Sequence, residues 1–401
     1  MQRLMAFFST LAVLASLTIN IAGDLVYIRG AQGTRYFYGL YDNLEAWEAR
    51  KEIVRGNTVD IFKIDVAEAK KAPQGQTAYA PKIHTDGIVI DRFYVETIPG
   101  YYLCGNLYAS ADPAVNTGPM PLVMLAHGHF GETDRRDRFY RDFQHLGAAF
   151  AQRGFLVVTW DMMGRGDDNQ RSHYDDVNTV LQTWNSMKLL GYLLSPRFTA
   201  ESSYTVDPSR VAVTGASGGG TQAIHMSLLD DRLTASIPVA MVSAYFGGNC
   251  GCENGINAMK GEGLLGRMKF KTNNCERIAC FAPKPLLIIS DGDDWTKRSP
   301  DVEYPYLRYV YAFYGAQSNV ENFHDLNGIH DYSLVKRQAA LDFLLRQWEL
   351  PKNGVYDDPY IKDTYTLKTY DELGTFGASS GLTRPADAAR TNQEVYDRIT
   401  K

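Results

Sequence analysis

Residues 210–229 read RVAVTGASGGGTQAIHMSLL, and this stretch decides the fold. It begins with a short apolar run typical of a buried strand and continues into a pattern typical of a helix. Between them, GASGG at 215–219 matches G-x-S-x-G, in which small residues allow a tight turn from strand to helix. The turn places Ser217 at a helix N-terminus, where the helix dipole favours developing negative charge. Ser217 is therefore the candidate nucleophile, and the alternative is a glycine-rich turn without chemistry.

A second stretch, GASSG at 377–381, matches the same motif in a different context. It follows DELGTF and precedes LTRP, which predict neither a strand before it nor a helix after it. We interpret this second match as a flexible loop.

The chain on both sides of Ser217 alternates short apolar runs with helical patterns. The apolar runs are PLVMLAHG (121–128), FLVVTWD (155–161), ASIPVAMVS (235–243) and KPLLIIS (284–290). Such runs indicate parallel strands that are buried on both faces. Before them, GIVIDRFYVETIPG and YYLCGNLYAS predict two antiparallel strands joined by a Pro-Gly turn. The sequence thus predicts an α/β fold, in which an antiparallel hairpin leads into a mostly parallel central sheet with helices on both faces.

Length and composition exclude several classes of protein. The chain has 401 residues, more than the roughly 250–300 at which one core usually stops growing, so either additions at the ends of one domain or two domains are expected. A hydrophobic fraction of 45% and a charged fraction of 22% exclude a polytopic membrane protein and a wholly disordered chain. The net charge is −5 and no Lys/Arg run stands out, which argues against nucleic acid as a partner.

Residues 1–22, MQRLMAFFSTLAVLASLTINIA, have the layout of a secretory signal peptide. Arg3 precedes an apolar run from Leu4 to Leu17, and Ala22 fits the position before a cleavage point. The alternative is a membrane anchor, because residues 4–22 are almost long enough to span a bilayer. We favour cleavage, which predicts a secreted or periplasmic protein without stable membrane insertion.

Four of the five cysteines, Cys250, Cys252, Cys275 and Cys280, lie close together in the sequence. In an exported chain they predict two disulfides, in any of three pairings. A zinc site is the alternative, but the spacing C-x-C…C-x4-C fits neither a zinc ribbon nor a zinc finger. Cys104 lies alone in YYLCGNLY, where we expect a small buried apolar side chain.

A serine hydroxyl becomes a good nucleophile when a histidine takes its proton and a carboxylate orients that histidine. After Ser217 the sequence offers both partners in the order Ser…Asp…His. The loop DGDDWT, which follows the strand KPLLIIS, contains Asp293 and Asp294, and GIHDYS contains His330 before the last amphipathic helix. His324 is a rival for the base, but VENFHD at 320–325 is typical of a strand. Either aspartate is compatible with the pattern at this point.

Backbone N–H groups must hold the oxygen on which negative charge develops during acyl transfer. Gly218, directly after Ser217, is one candidate donor, and His129, in the HGHFG loop at 127–131, is the other. The alternative is that His127 and His129 bind a metal ion. The sequence contains neither H-x-D-H nor H-E-x-x-H to complete such a site, so we expect no metal and no cofactor.

From about residue 87 to 349 the chain resembles the α/β-hydrolase superfamily, and within it exported bacterial acetylxylan esterase-like and other carbohydrate esterase-like hydrolases. The segments that carry the resemblance are HGHFGE (127–132), DMMGRGD (161–167), GASGGG (215–220), NCGCEN (249–254), FAPKPLLIISDGDDWTK (281–297) and VEYPYLRYVYAFYGA (302–316). In this superfamily the acid commonly lies at a set spacing after a proline that opens its strand. Counting from Pro285 favours Asp294 over Asp293.

The resemblance implies a division of the chain and a function. Its parts are a signal peptide (1–22), an N-terminal extension (23–86), a catalytic domain (87–349) with a cysteine-rich, lid-like insertion (244–283), and a C-terminal tail (350–401). The implied function is a secreted serine esterase that acts through an acyl-enzyme with Ser217, Asp294 and His330. Acetyl or methyl esters on plant polysaccharide are the implied substrates. The alternatives are a peptidase or general carboxylesterase of the same fold, and a catalytically inactive binding module.

Two further hypotheses concern substrate contacts. Glu132, Glu253 and Arg267 are candidate substrate-binding residues, and the alternative for each is a surface ion pair or a helix cap. Aromatic residues make up 12% of the chain. Because tyrosine faces stack on sugar rings, we expect some of the tail tyrosines 356, 360, 365 and 370 to face polysaccharide.

Overall fold

The computed structural model describes residues 38–116, 118–131, 135–168, 172–175, 177–244, 272–350 and 360–400. Several predicted features lie outside these residues, namely the signal peptide 1–22, Glu132, Glu253, Arg267, Cys250, Cys252 and most of the insertion 244–283. No helix in the described part of the chain is long and apolar enough to cross a membrane.

Ten strands of the described residues form one sheet. They are β1 (Thr77–Tyr79), β2 (Ile83–Thr85), β3 (Ile88–Ile98), β4 (Tyr101–Ser110), β5 (Met120–Ala126), β6 (Leu156–Trp160), β7 (Val206–Ala216), β8 (Ala235–Val239), β9 (Leu286–Asp291) and β10 (Val320–Asp325). Their order is β1-β3-β4-β6-β5-β7-β8-β9-β10, and β2 also pairs with β3. Strands β1 to β4 pair antiparallel, whereas β5 to β10 run parallel to one another. The predicted hairpin and mostly parallel sheet are confirmed.

Helices connect the strands and cover the sheet. The described ones are α1 (Leu44–Phe62), α2 (Val66–Lys70), α3 (Arg141–Ala151), α4 (Asn178–Leu193), α5 (Pro196–Ser202), α6 (Gly218–Leu229), α7 (Asn274–Ala279), α8 (Glu303–Ala312), α9 (Leu334–Gln347), α10 (Tyr370–Leu373) and α11 (Asn392–Asp397). Short 3-10 helices span Asp137–Phe139 and Gln317–Asn319.

Two hydrophobic cores lie on opposite faces of the sheet because side chains alternate along each strand. On β5, Leu122 and Met124 enter the core that contains α4 and α6 side chains, whereas Val123 and Leu125 enter the core that contains α3 and α9 side chains. The central strands are therefore buried on both faces, as their continuous apolar runs predict.

The carboxyl ends of the parallel strands meet at one edge of the sheet, and this edge positions the candidate site. The loop 127–131 follows β5, Ser217 follows β7, Asp294 follows β9 and His330 follows β10. In open α/β sheets this edge is where ligands usually bind.

The described part of the N-terminal extension is built into the domain. Helix α1 runs to Phe62, and strands β1 and β2 pair with β3 at the sheet edge. The N-terminus of α1 is capped by Asn43, whose side chain accepts a hydrogen bond from the Ala46 N–H (3.0 Å).

Cys275 and Cys280 do not form the predicted disulfides; both are free, buried thiols. Cys280 caps α7 and lies five residues after Cys275, which separates their Cα atoms by about 7.5 Å at the helical rise, too far for a direct bridge. Each thiol donates instead to a backbone carbonyl, that of Glu303 for Cys275 and that of Glu276 for Cys280. Cys104 is buried, as expected.

The described part of the C-terminal tail, residues 360–400, is tied to the rest of the fold by polar contacts. The hydroxyl of Tyr370 and the N–H of Thr375 donate to the carboxylate of Asp167, at 2.9 and 2.8 Å. The Asn106 amide on β4 donates to the Leu373 carbonyl (2.9 Å). The tail thus covers the DMMGRGD segment. The sequence pattern of the tail does not predict this contact.

The second G-x-S-x-G match is a loop, as expected, and it is held to the domain by hydrogen bonds. The Ser379 hydroxyl accepts from Arg92 (2.8 Å) and donates to the Asp371 carbonyl (2.7 Å). Of the tail tyrosines, Tyr365 is buried and the hydroxyl of Tyr370 donates a hydrogen bond to Asp167. We therefore assign both side chains to packing of the tail and not to contact with polysaccharide. Tyr360 is 68% exposed, and Tyr356 lies outside the described residues.

A buried ion cluster lies beneath the tail. The guanidinium of Arg138 is fully buried and donates to Asp161 Oδ1 (2.5 Å), to Asp167 and to the side-chain oxygen of Asn106. Buried carboxylates require such a partner because an uncompensated charge in the interior is costly. Arg138 therefore joins β4 to the loop that follows β6.

We expect Arg138→Met to lower the free energy of unfolding by about 3–5 kcal/mol, because it leaves two buried carboxylates without their shared cation. Urea denaturation followed by circular dichroism measures the change. Arg141→Met is the control: its side chain is 62% exposed beside Asp142, so we expect a loss below about 1 kcal/mol. Equal losses in the two variants would contradict this assignment.

Candidate active site

Ser217 lies in the turn between β7 and α6. Its backbone has φ 58° and ψ −121°, outside the regions that L-residues commonly adopt. Such strain is typical of the sharp strand-to-helix turn that exposes a nucleophile. Hydrogen bonds hold the turn: the Ser217 N–H donates to the Val239 carbonyl, and the Thr221 N–H donates to the Ser217 carbonyl, both at 3.1 Å.

Helix α6 approaches β5 so closely that residue 219 must be glycine. A Cβ atom at Gly219 would lie 2.0 Å from the Ala126 carbonyl oxygen. A Cβ atom at Gly215 would lie 2.4 Å from the same oxygen. The glycines of the motif therefore serve the close packing that the sequence predicts.

Asp294 and His330 come together from two neighbouring strand ends. His330 Nδ1 lies 2.9 Å from Asp294 Oδ2, so Nδ1–H donates to the carboxylate and Nε2 carries the lone pair of the neutral ring. The Asp294 side chain is 3% exposed, whereas that of His330 is 28% exposed. This is the arrangement that a general base and its orienting carboxylate require.

The two rival residues lie elsewhere. Asp293 is exposed, and its N–H donates to the Gly328 carbonyl (3.2 Å). His324 lies on β10, and its Nδ1 is 2.9 Å from the Ser290 hydroxyl. The structure pairs Asp294, not Asp293, with His330, not His324.

Thr296 keeps the Asp294 carboxylate ionised. Burial alone would raise the pKa of Asp294, but the hydrogen bonds from His330 and Thr296 outweigh burial, so the pKa lies below its ordinary value. Thr296 supplies two of these bonds to Oδ1, from its N–H (2.6 Å) and its hydroxyl (2.5 Å). The carboxylate is therefore negative throughout the neutral pH range.

Phe130 links the serine to the histidine. A Cβ atom placed on Gly128 would lie 2.9 Å from Ser217 Cβ and 2.7 Å from Phe130 Cε2, so these two atoms flank the same point. The Phe130 and His330 rings stack with centroids 5.7 Å apart and planes at 23°. Trp295 also contacts His330, with ring centroids 4.4 Å apart. Ser217, Asp294 and His330 thus belong to one cluster.

The two candidate oxyanion donors border this cluster. Gly218 is the first residue of α6, where backbone N–H groups have no partner within the helix. His129 lies in the loop after β5, and its Nε2 contacts Nε2 of His173. His173 Nδ1 in turn lies 2.7 Å from the Met163 carbonyl, which ties the loop 127–131 to the DMMGRGD segment.

His127 is a structural residue. Its Nε2 accepts a hydrogen bond from the Met162 N–H (3.1 Å), and its Nδ1 lies 2.9 Å from the Gly128 carbonyl. Burial lowers the pKa of His127 to about 3, so the ring stays neutral. With both ring nitrogens engaged, His127 offers no lone pair to the metal site considered as the alternative.

Within the described residues, Cys104, Asp161 and Asp167 bring potential metal-ligand atoms within 4.8 Å of one another. Arg138 pairs with both carboxylates. We assign this group to the fold.

Sequence reasoning assigned no contact to Phe130, Trp295, Thr296 or His173. Phe130 lies inside HGHFG, and Trp295 and Thr296 directly follow Asp294, so position next to a motif is a usable signal for these three. His173 lies outside every motif, six residues after DMMGRGD, and the sequence gives no sign of its contact with His129.

No family model matches the chain. The structure of Methylesterase BT1017 is similar, with a TM-score of 0.78 and 29% identity, over 92% of this chain and 79% of that one. This chain has the α/β-hydrolase fold. A CE15 glucuronoyl esterase from Teredinibacter turnerae T7901 resembles this chain in fold, with a TM-score of 0.53 and 15% identity over 76% of this chain and 86% of that one.

One protein also matches part of the chain in sequence. YtaP of Bacillus subtilis (strain 168), a protein named as a hydrolase, is 24% identical over 165 residues. The match covers 37% of this chain and 50% of YtaP, so it spans about half the length of that relative.

We expect Asp294→Asn to lower kcat for p-nitrophenyl acetate by about 10³–10⁴-fold, because the amide no longer holds the His330 tautomer that accepts a proton at Nε2. Asp293→Asn is the matched control and should change kcat less than about twofold, since Asp293 is exposed. Circular dichroism of both variants checks folding. A larger loss in Asp293→Asn than in Asp294→Asn would reverse the assignment.

Proposed function

We propose that the protein is a serine esterase that hydrolyses esters on polysaccharide, and that methyl esters of sugar carboxyl groups are its substrates. The observation that carries this proposal is the hydrogen bond between Asp294 and His330 beside the strained turn of Ser217. The three residues have the types and the chain order of a catalytic triad.

In the proposed reaction, the Ser217 hydroxyl attacks the ester carbonyl while His330 Nε2 takes its proton. The resulting oxyanion is held by the N–H groups of Gly218 and His129. His330 then gives the proton to the alkoxide, which leaves as an alcohol and breaks the C–O bond. Water, deprotonated by His330, releases the acyl group from Ser217 as a carboxylic acid. Asp294 orients the imidazole and stabilises its charged form throughout.

One observation favours methyl over acetyl esters: the solved structure with 29% identity is named a methylesterase. A polysaccharide can form a methyl ester through the carboxyl group of a uronic acid, so the proposed substrate is a methyl-esterified polyuronate.

Localisation follows from the same proposal. Polysaccharide of this kind lies outside the cell, which fits the signal-peptide layout of residues 1–22 and a secreted or periplasmic enzyme.

We expect wild type to be labelled by a fluorophosphonate probe, because an activated serine attacks phosphorus as it attacks an ester. Ser217→Ala should not be labelled, while Ser379→Ala, at the second G-x-S-x-G match, should be labelled like wild type. Gel fluorescence measures the reaction. Unlabelled wild type that also leaves p-nitrophenyl acetate intact would point to an inactive binding module.

We expect wild type to release methanol from methyl-esterified polygalacturonate faster than acetate from acetylated xylan. Ser217→Ala serves as the blank for both polymers. Faster release of acetate would overturn the methyl-ester proposal and leave a serine acetylesterase. Cleavage of p-nitrophenyl acetate without release from either polymer would indicate a general carboxylesterase.

A further inference from the structure

Apolar packing holds only part of the loop that carries His330. The loop runs from the end of β10 to the start of α9; Tyr332, close to α9, is buried in a hydrophobic core, whereas Leu326 and Ile329 are 74% and 59% exposed. The backbone that precedes His330 therefore gains little from the hydrophobic effect. A polar interaction is needed to hold that backbone.

The side chain of Lys336 supplies that interaction. Its ammonium group is fully buried and donates to the Ile329 carbonyl (2.6 Å), to Asp331 Oδ1 (2.6 Å) and to the Asp331 carbonyl (3.3 Å). Ile329 and Asp331 are the two neighbours of His330 in the chain. One buried cation thus holds the backbone on both sides of the candidate base.

The same ammonium group reaches the loop of the candidate acid. Lys336 forms an ion pair with Asp291, the last residue of β9, whose side chain is fully buried. The Gly292 N–H donates to the Asp325 carbonyl (2.9 Å), which adds a backbone link between the loops after β9 and β10. Lys336 lies where these two loops meet.

The placement of Lys336 is unfavourable by local criteria. It occupies the first turn of α9, where the helix dipole disfavours a positive charge. Full burial of its ammonium group adds a desolvation cost that the contacts must offset. The contacts of Lys336 with Asp291 and Asp331 must therefore outweigh both costs.

We propose that Lys336 is a positioning residue, which acts through the loops of Asp294 and His330 to hold the imidazole in its productive orientation. The proposal rests on the proposed function, because it assigns Lys336 a role in serine esterase chemistry.

The first variant is Lys336→Met, which keeps the length and the apolar stem of the side chain. We expect kcat for p-nitrophenyl acetate to fall about 10–100-fold with KM within about threefold, because a displacement near 1 Å can cost about 100-fold in rate. The acid limb of kcat/KM should move to higher pH, because loss of a nearby cation favours the protonated imidazole. Burial raises the pKa of Asp291 to about 7 even beside Lys336, and the loss of Lys336 raises that pKa further, so a second variant must control for the charge of residue 291.

Arg346→Met is the matched control. Arg346 lies on the same helix and pairs with Glu321 on β10 (2.7 Å), but both side chains are partly exposed and neither adjoins His330. We expect kcat and the pH profile of Arg346→Met to equal those of wild type.

The double variant Asp291→Asn/Lys336→Met separates positioning from charge. The double variant has no carboxylate at position 291 that lacks its cation. It therefore allows the test to be made where the single variant is unstable. We expect its acid limb to return toward that of wild type while kcat stays low. Fluorophosphonate titration should still label about one serine per chain, which shows that the loss is a slower rate and not a smaller folded fraction.

Two outcomes overturn the inference. A wild-type kcat in Lys336→Met, or recovery of kcat in the double variant, would show that Lys336 does not position the base. Failure of the proposed function is distinguishable, because wild type itself would then remain unlabelled at Ser217.

Discussion

The contact between helix α6 and strand β5 at Gly219 is the constraint on which the candidate site depends. The Ala126 carbonyl leaves no room for a side chain at residue 219, so the first turn of α6 lies directly against the end of β5. Ser217 must then reverse the chain within one residue, at φ 58°. The same end of β5 continues into the loop 127–131. One close contact thus sets the position of the candidate nucleophile and of both candidate oxyanion donors.

Hydrogen bonds from segments that are distant in the sequence also hold this arrangement. The loop after β6 holds the loop after β5 through two histidines, since Met162 binds His127 and the Met163 carbonyl lies beside His173, which contacts His129. That loop is in turn anchored by the pairing of Arg138 with Asp167.

The tail completes the support by donating hydrogen bonds to the same Asp167 carboxylate from Tyr370 and Thr375. The C-terminal segment therefore contributes to the order of the loop 127–131 without lying in it. The sequence of the tail is polar and has no strong period, and its residues serve as hydrogen-bond donors and acceptors.

A feature could be predicted from the sequence where it depends on residues that are close together in the chain. Ser217, Asp294 and His330 could be singled out because each follows an apolar strand within a few residues, and the spacing after Pro285 separated Asp294 from Asp293. The central sheet could be predicted because buried parallel strands need continuous apolar runs. The free thiols of Cys275 and Cys280 could not, because cysteine clustering carries no information on helical geometry.

Polar contacts between segments that are distant in the sequence could not be predicted. Lys336 sits in a segment whose pattern predicts an ordinary amphipathic helix, in which lysine is expected to face solvent. Its burial follows from the meeting of two loops after β9 and β10, a juxtaposition that depends on the order of strands in the sheet. The docking of the tail combines the Tyr370 hydroxyl, from one of several tail tyrosines, with backbone groups that every residue carries, so no residue type marks it.

The candidate site therefore combines two kinds of rigidity. The candidate nucleophile is placed by close backbone packing, which tolerates no side chain at Gly219 and needs no charge. The candidate acid and base lie on loops that apolar packing holds only in part, through Trp295 and Tyr332, and buried polar groups hold the backbone beside His330. Electrostatic contacts of this kind are effective where water is excluded, and Lys336 and Asp291 are fully buried although Leu326 and Ile329 nearby are exposed.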